Sequence, residues 1–350
     1  MAGDLVHPSG RGGSMSEGVV IPDLVSTIIP VHDRPTYLAE AVASVLAQDH
    51  RPIEILIVDD GSRDPATPDL IRRLEREHPG VVFGYHQANA GPGRARETGR
   101  RAARGSFLQY LDSDDLLLPG KFSAQVAALR RHPQAQVAYG FTFLRDRHGR
   151  VSDSPQRATG KEIPTMFPMF LNWRWWFTST PLYRRTVCDE AGPWTDLRLE
   201  EDWEYDVRIA SLGGRLVWCP LPVSEHRDHG QSRLSRGPLL DPGRLRDQAT
   251  AQTLMLGHAR RYGLRAHDPS MRTFARSLFL LARHCGAAGL SGESRRLTGL
   301  ALSLAKEGGG RSLDIRLYQR IAALIGWNRA GAIGVWLHRF TPEGHTDEAT

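Results

Sequence analysis

Three short segments concentrate side chains that can do chemistry. "YLDSDD", residues 110 to 115, ends an apolar run in Asp112, Asp114 and Asp115, and "IVDDGS", residues 57 to 62, ends another in Asp59 and Asp60. The third, "LEEDWEYDVRIA", carries Glu201 and Asp202 at the start of a helical pattern. A carboxylate can hold a hard divalent cation, accept hydrogen bonds from a ligand, or take the proton of a reacting hydroxyl. In extended chain, residues i and i+2 share a side about 7 Å apart, so Asp112 and Asp114 face one way and Ser113 the other. Asp115 then reads as a turn or helix-start residue. Mg²⁺ typically takes one or two carboxylates and completes its shell with substrate phosphates, which the pair Asp112 and Asp114 would suit.

Each segment also has a structural use. Asp60 precedes Gly61 in a common turn pair, and acidic residues such as Glu201 and Asp202 favour the first turn of a helix whatever else they do. In that helix Trp203, Val207 and Ala210 form the expected buried stripe, with Glu204 and Arg208 as an outward i,i+4 pair on the solvated face. His229, in the polar loop "EHRDHGQSRLS", reads alone as a surface histidine. "NAGPGRARETG" places glycines and two arginines, Arg94 and Arg96, ahead of the acidic segment, as a loop near a phosphate would; its spacing fits neither a Walker loop nor a dinucleotide fingerprint. Trp175 and Trp176 in "NWRWWFTST" suit stacking on a sugar and filling a core equally.

These residues need a scaffold, and the chain supplies alternating elements. "VSTIIPV" (25 to 31), "IEILIVDD" (53 to 60), "VVFGYH" (81 to 86) and "FLQYL" (107 to 111) predict strands; "YLAEAVASVLAQ", "DLIRRLEREH" and "ARETGRRAARG" between them predict helices. Alternation of this kind means βαβ units and a mostly parallel sheet covered on both faces. Ligands of such sheets bind at the carboxyl ends of the strands, where the acidic segments fall. Leu38, Val42, Val45 and Leu46 give the first helix an apolar stripe. Further on come a helix near 121 to 131, a strand at 137 to 143, a helix at 201 to 212 and a strand "RLVWC"; from about 245 the chain reads as helices between Gly-rich turns.

Composition bounds the alternatives. At 350 residues, 40% hydrophobic and 24% charged, the chain can bury a sizeable core and is no disordered polymer. The formal charge of +6 favours anionic partners, but basic and aromatic residues do not interleave as in RNA-binding strands, so no nucleic-acid partner is expected. Cys188, Cys219 and Cys285 lie far apart without metal spacing, which fits free thiols in a reducing cytoplasm. No run approaches the roughly 20 apolar residues of a membrane span, and residues 1 to 23 read as a disordered Gly- and Ser-rich leader in which Met15 could be the start.

Taken together, these segments resemble inverting glycosyltransferases of family 2. "VSTIIPVHDRPTYLAEAVASVLAQDHRPIEILIVDDGSRD" is similar to the opening block of that family, "NAGPGRARETGRRAARGSFLQYLDSDDLLLP" to its second, "LEEDWEYDVRIA" to its glutamate-aspartate motif and "HRDHGQSRLS" to its late loop. The resemblance implies an A-type nucleotide-sugar-binding α/β fold, Rossmann-like, with a C-terminal helical appendage. It implies a catalytic domain over 24 to 240, nucleotide-binding to 120 and acceptor-binding from 121; beyond the resemblance, the sequence pattern itself gives helices over 241 to 340 and a disordered tail over 341 to 350. It assigns Pro30, His32, Asp60, Arg96, Asp112 and Ser113 to the nucleotide-sugar, Asp114 and His229 to Mn²⁺ or Mg²⁺, Asp202 to the base, and Glu201, Trp175 and Trp176 to the acceptor side. His32 and Asp33 stand where the family usually has a tyrosine-asparagine pair, and Glu97 where asparagine is common. The implied reaction carries a sugar from a UDP- or GDP-linked donor to a hydroxyl of a glycan, lipid or natural product. A nucleotidyltransferase on a similar sheet and a non-catalytic scaffold are the rival readings. "IAALIGWNRAGAIGVWLHRF" in the tail suits either a peripheral membrane contact at the inner face or packing within the protein or a homodimer.

Overall fold

The computed structural model describes residues 19–230, 237–310 and 312–338. The expected leader over 1 to 18 and the tail over 341 to 350 lie outside them. Residues 21 to 23, read as leader, instead begin the first strand, because the Ile21 N–H donates to the Arg104 carbonyl at 2.8 Å and Ile21 pairs with Gly105.

The sheet contains β1 (Ile21–Val31), β2 (Ile53–Asp60), β3 (Val82–Gln87), β4 (Gly105–Tyr110), β5 (Leu116–Leu117), β6 (Val137–Arg145), β7 (Leu182–Arg184) and β8 (Leu216–Arg227). Their order is β3-β2-β1-β4-β7-β6-β8-β5. The first four are parallel, β7 runs against both neighbours, β6 and β8 are parallel, and β5 is antiparallel to β8. The parallel strands read as near-continuous apolar runs because helices cover both faces: all eight residues of β2 are buried. Helices α1 (Pro35–Leu46), α2 (Ala66–Glu77) and α3 (Pro92–Ala102) form the crossovers, followed by α4 (Lys121–Arg131), α5 (Arg185–Ala191) and α6 (Glu201–Ser211). Leu38, Ala41, Val42 and Val45 of α1 are fully buried in the core beneath it, and Leu46 packs at its margin.

The chain leaves β1 toward β2 and β3, then returns to place β4 on the other side of β1. That reversal opens a crevice at the carboxyl ends of β1 and β4, the place where ligands of open α/β sheets bind. His32 follows β1 and Asp112 follows β4, so the topology alone brings these segments to one edge.

Two compact units result. The first holds the sheet, from the start of the described residues to Phe167 together with 174–197 and 201–231; the second holds 168–173, 198–200 and the chain from 232 onward, among the described residues. The second unit is built from α7 (Pro242–Tyr262), α8 (Pro269–Ala287), α9 (Ser291–Glu307), α10 (Leu313–Ile325) and α11 (Trp327–His338). Asp241 caps α7 by accepting from the Arg244 N–H at 2.8 Å. Among the described residues, no helix is long and apolar enough to cross a membrane.

Candidate active site

The end of β2 is held by its own backbone. Asp60 is 5% exposed, and its carboxylate accepts from Gln87 Nε2 and from the N–H groups of Ala90 and Gly91, each at 2.8 Å. Gly61, at φ +71°, packs so close that a Cβ would meet the Asn89 nitrogen at 2.7 Å, which fixes the turn against the loop before α3. His32 Nδ1 lies 3.0 Å from the Asp60 carbonyl oxygen, and Pro30 stands opposite Val58 in the β1–β2 register. Asp59 accepts from the Ser62 N–H at 2.9 Å and pairs with His86 Nδ1 at 3.0 Å. Asp33, in a left-handed conformation at φ +55°, accepts from the N–H groups of Asp64 and Arg63; the Asp64 bond chiefly lowers its pKa.

The acidic segment after β4 is a turn, not extended chain. The Asp115 N–H donates to the Asp112 carbonyl at 3.0 Å, so the alternation that set Asp112 and Asp114 on one face does not apply. Each acid instead finds its own partner. Asp112 Oδ1 accepts from Arg96 Nη2 at 2.7 Å. Asp114 Oδ2 lies 2.8 Å from His229 Nε2 and is also paired with the Arg34 guanidinium. Ser113, expected to turn away, is buried at 5% exposure. Asp115 closes this turn rather than starting a helix: fully buried, it accepts from the Arg227 N–H at 3.1 Å and meets His226 Nδ1 at 3.1 Å and Ser179 Oγ at 3.3 Å.

Helix α6 is enclosed on more than one face, and this overturns the solvated reading of Glu204. Glu204 is 1% exposed and bonds Arg208 Nε at 3.0 Å inside the protein, whereas Trp203 is half-buried. Tyr205 stacks on Trp194 with ring centroids 4.1 Å apart, and Asp206 accepts from Tyr183 at 2.6 Å and from Trp176 Nε1 at 3.0 Å. Trp175 and Trp176, at 2% and 1% exposure, are therefore core rings, and a sugar cannot stack on their faces without repacking.

Arg96 links the two acidic regions. Its guanidinium, 3% exposed, donates from Nη2 to Asp112 and from Nη1 to Glu201 Oε1, both at 2.7 Å, and lies over the Trp194 ring. Burial opposes its charge, but Asp112 and Glu201 outweigh that and raise its pKa. Burial, then the adjacent Asp202, pushes Glu201 up to about 7. Asp202 resists the same burial because Arg174, then Arg96 and Arg157, hold its carboxyl below the usual range. Arg174 pairs with both Asp202 and Asp206, and Thr178 Oγ1 donates to Asp202 at 3.3 Å. At neutral pH Asp202 is thus an ionised carboxylate at the start of a helix, a quarter exposed and next to an acid held near neutrality.

Sequence reasoning missed Arg34, Arg174 and Asp206. Arg34 had a signal, its place between the first strand and a Pro-started helix, where nucleotide sites gather positive charge. Arg174 and Asp206 had none, since their partners are 28 to 32 positions apart in sequence.

The fold and these strand-end groups define an open α/β scaffold with a polar crevice at the carboxyl ends of its parallel strands. Residues 26–188 match the family described as Glycosyl transferase family 2. An uncharacterised glycosyltransferase of Nostoc sp. is 33% identical over 173 residues, covering 48% of this chain and 53% of that protein. An uncharacterised glycosyltransferase of Rickettsia felis is 37% identical over 115 residues, 32% of this chain and 18% of that protein. The chain therefore spans about half the length of the first relative and less of the second. Among solved structures, S. aureus TarS 1-349 superposes with a TM-score of 0.60 at 15% identity, covering 91% of this chain and 92% of that one; it has also been solved with UDP and with UDP-GlcNAc. The scaffold is the glycosyltransferase A-type fold. This chain carries a family 2 glycosyltransferase domain on it.

Proposed function

We propose that the protein is a metal-dependent inverting glycosyltransferase that moves a sugar from a UDP- or GDP-sugar to a hydroxyl of a glycan, lipid or natural product. The observation that carries this reading is the Arg96 bridge, which ties the acid after β4 to the residue preceding Asp202. Donor-side and acceptor-side carboxylates thereby belong to one buried network. Asp60 and its loop support the nucleoside: Oδ2 takes one backbone donor, which leaves a lone pair for a base or ribose.

Asp114 and His229 fit a hard divalent ion such as Mn²⁺ or Mg²⁺. A carboxylate oxygen and an imidazole nitrogen lie 2.8 Å apart, and the Arg34 guanidinium already brings positive charge to that same oxygen. Among the described residues no three His, Cys, Asp or Glu side chains are grouped to hold a metal ion, so diphosphate oxygens and water would have to complete the shell of a cation bound there. Bound there, it would neutralise charge that builds on the departing diphosphate.

In the single displacement, the bond from the anomeric carbon to the diphosphate oxygen breaks, and its electron pair leaves with the nucleoside diphosphate. The acceptor oxygen bonds that carbon from the opposite face, and its proton passes to Asp202. Arg174 and Thr178 orient the Asp202 carboxylate for that role.

A donor screen with acceptor mixtures, following nucleoside diphosphate release with Mn²⁺ or with EDTA, tests the reading; the UDP and UDP-GlcNAc complexes of TarS make UDP-sugars the first to try. One donor should turn over, and EDTA should stop it. Release of pyrophosphate would instead mark a nucleotidyltransferase, and absence of nucleotide binding in Mn²⁺ calorimetry would mark a scaffold. Asp202→Asn should keep donor affinity while slowing transfer about 10²- to 10⁴-fold; unchanged transfer would remove Asp202 from the role of base.

A further inference from the structure

We infer that the outer faces of α10 and α11 dock on an anionic lipid bilayer surface. The inner faces of the two helices are spent on the second unit. Gly331 of α11 approaches α8 so closely that a Cβ would meet the Ala287 nitrogen at 2.3 Å, and α10 buries Ile315, Tyr318 and Ala322. Tyr318 turns its ring edge to Phe279 and Trp327, with its hydroxyl 3.2 Å from Ser294 Oγ.

What remains outside is unusually apolar for a surface. Leu313, Leu317 and Leu324 of α10 are 78%, 58% and 84% exposed, and Ile333, Trp336 and Leu337 of α11 are 46%, 58% and 52% exposed. Their spacing, i, i+4, i+11 on one helix and i, i+3, i+4 on the next, puts each set on a single face. Side chains of this size clustered in solvent mark a contact surface.

Charge selects the occupant. Arg316, Arg320 and Arg329 are exposed on the same two helices, Arg320 within the leucine face and Arg329 one turn before Ile333. The one acid from 312 to 338 is Asp314, and Arg276 already holds it. Leu313 and Asp314 also line a cavity of about 490 Å³ with Arg272, whose guanidinium donates to the Gly308 carbonyl and has no acidic partner among the described residues. A second copy meeting this face about a two-fold axis would bring arginines toward arginines with no acid to answer them. An anionic bilayer offers both needs, hydrocarbon for the leucines and tryptophan and phosphates for the arginines. At 13 and 12 residues the helices are too short to span it, so they lie in its interface.

The test is flotation of the full chain with vesicles of phosphatidylcholine alone or with phosphatidylglycerol. Binding should need the anionic lipid and fall with added salt; Arg316→Gln, Arg320→Gln and Arg329→Gln should each weaken it about fivefold, by the usual worth of a basic residue near such a surface. Leu317→Asp with Leu324→Asp should abolish it, and because both side chains are exposed the fold should survive, as an unchanged helical circular-dichroism signal and thermal midpoint would report. Equal binding to neutral vesicles, or binding untouched by either set, would overturn the inference. So would a dimer in sedimentation that Leu324→Asp dissociates, since that would give the face to a second copy. None of these outcomes depends on whether the sheet unit transfers sugars.

Discussion

The acidic ends of β2 and β4 use the same residue for opposite purposes. Asp59 and Asp60 accept from backbone N–H groups of neighbouring loops, with the His86 ring beside Asp59, and so does Asp115 after β4 through the Arg227 N–H, with Ser179 and the His226 ring beside it. Asp112 and Asp114 meet guanidinium side chains: Arg96 for one, Arg34, beside the His229 ring, for the other. A backbone donor cannot leave without moving the loop that carries it, but a guanidinium can swing aside on its own torsions. Carboxylates held by backbone therefore fix geometry, whereas carboxylates held by side-chain cations can exchange them for a metal ion or reorganise around a diphosphate.

The contrast is sharpest at Asp114 against Asp115, adjacent in sequence. Asp114→Ala should reduce metal-dependent donor turnover by about 10³-fold or more, since loss of the ion removes several kcal/mol of charge stabilisation; denaturant midpoints should move little, and steady-state release assays with a Mn²⁺ titration would show whether they do. Asp115→Ala should do the reverse, costing about 4 kcal/mol of stability by stranding the buried Arg227 N–H and Ser179 hydroxyl and removing the partner of His226. Urea unfolding would measure it, and a variant as stable as the parent would erase the distinction.

Glu201 probes the network at its pH-sensitive point. Its folded pKa of about 7 stands above the usual glutamate value of 4.5, so the folded state holds a proton that the unfolded chain has lost. Stability from this group is complete below about 4.5 and declines as pH rises through 7. Glu201→Gln, which mimics the protonated form, should flatten that decline by up to about 3 kcal/mol between pH 4.5 and 8; parallel stability profiles for the two proteins would show that Arg96 keeps Glu201 ionised throughout.

Asp60→Asn should have the smallest effect, about 1 to 2 kcal/mol of stability, because an amide retains one acceptor for the loop and turns a donor toward the other N–H. Donor KM should rise several-fold with kcat nearly kept. A large fall in kcat at unchanged KM would place Asp60 with the exchangeable acids.

Much of this was legible beforehand, for local reasons. The strands β1, β2 and β4, the crossover helices and the positions of Asp60, Asp112, Asp114 and Asp202 at element ends followed from apolar runs stopped by polar residues. The errors share one cause. Glu204 reads as solvated from its i,i+4 partner Arg208, a pair that exists but is enclosed, with Arg208 Nη1 also donating to the carbonyls of Ala191 and Pro193 at the end of α5. Alternation was applied to residues 112 to 115, where a turn hydrogen bond replaces the extended backbone.

By itself the sequence determined which residues could act and which element each would terminate, since hydrophobic periodicity and turn chemistry are decided within a few neighbouring residues. Only the tertiary structure decided their partners: Arg96 joining residues 16 and 105 positions away, His229 reaching Asp114 across 115, and Arg34 reaching it across 80. Those pairings depend on strand order, and strand order is fixed by the packing of the whole sheet, to which no single segment holds the key.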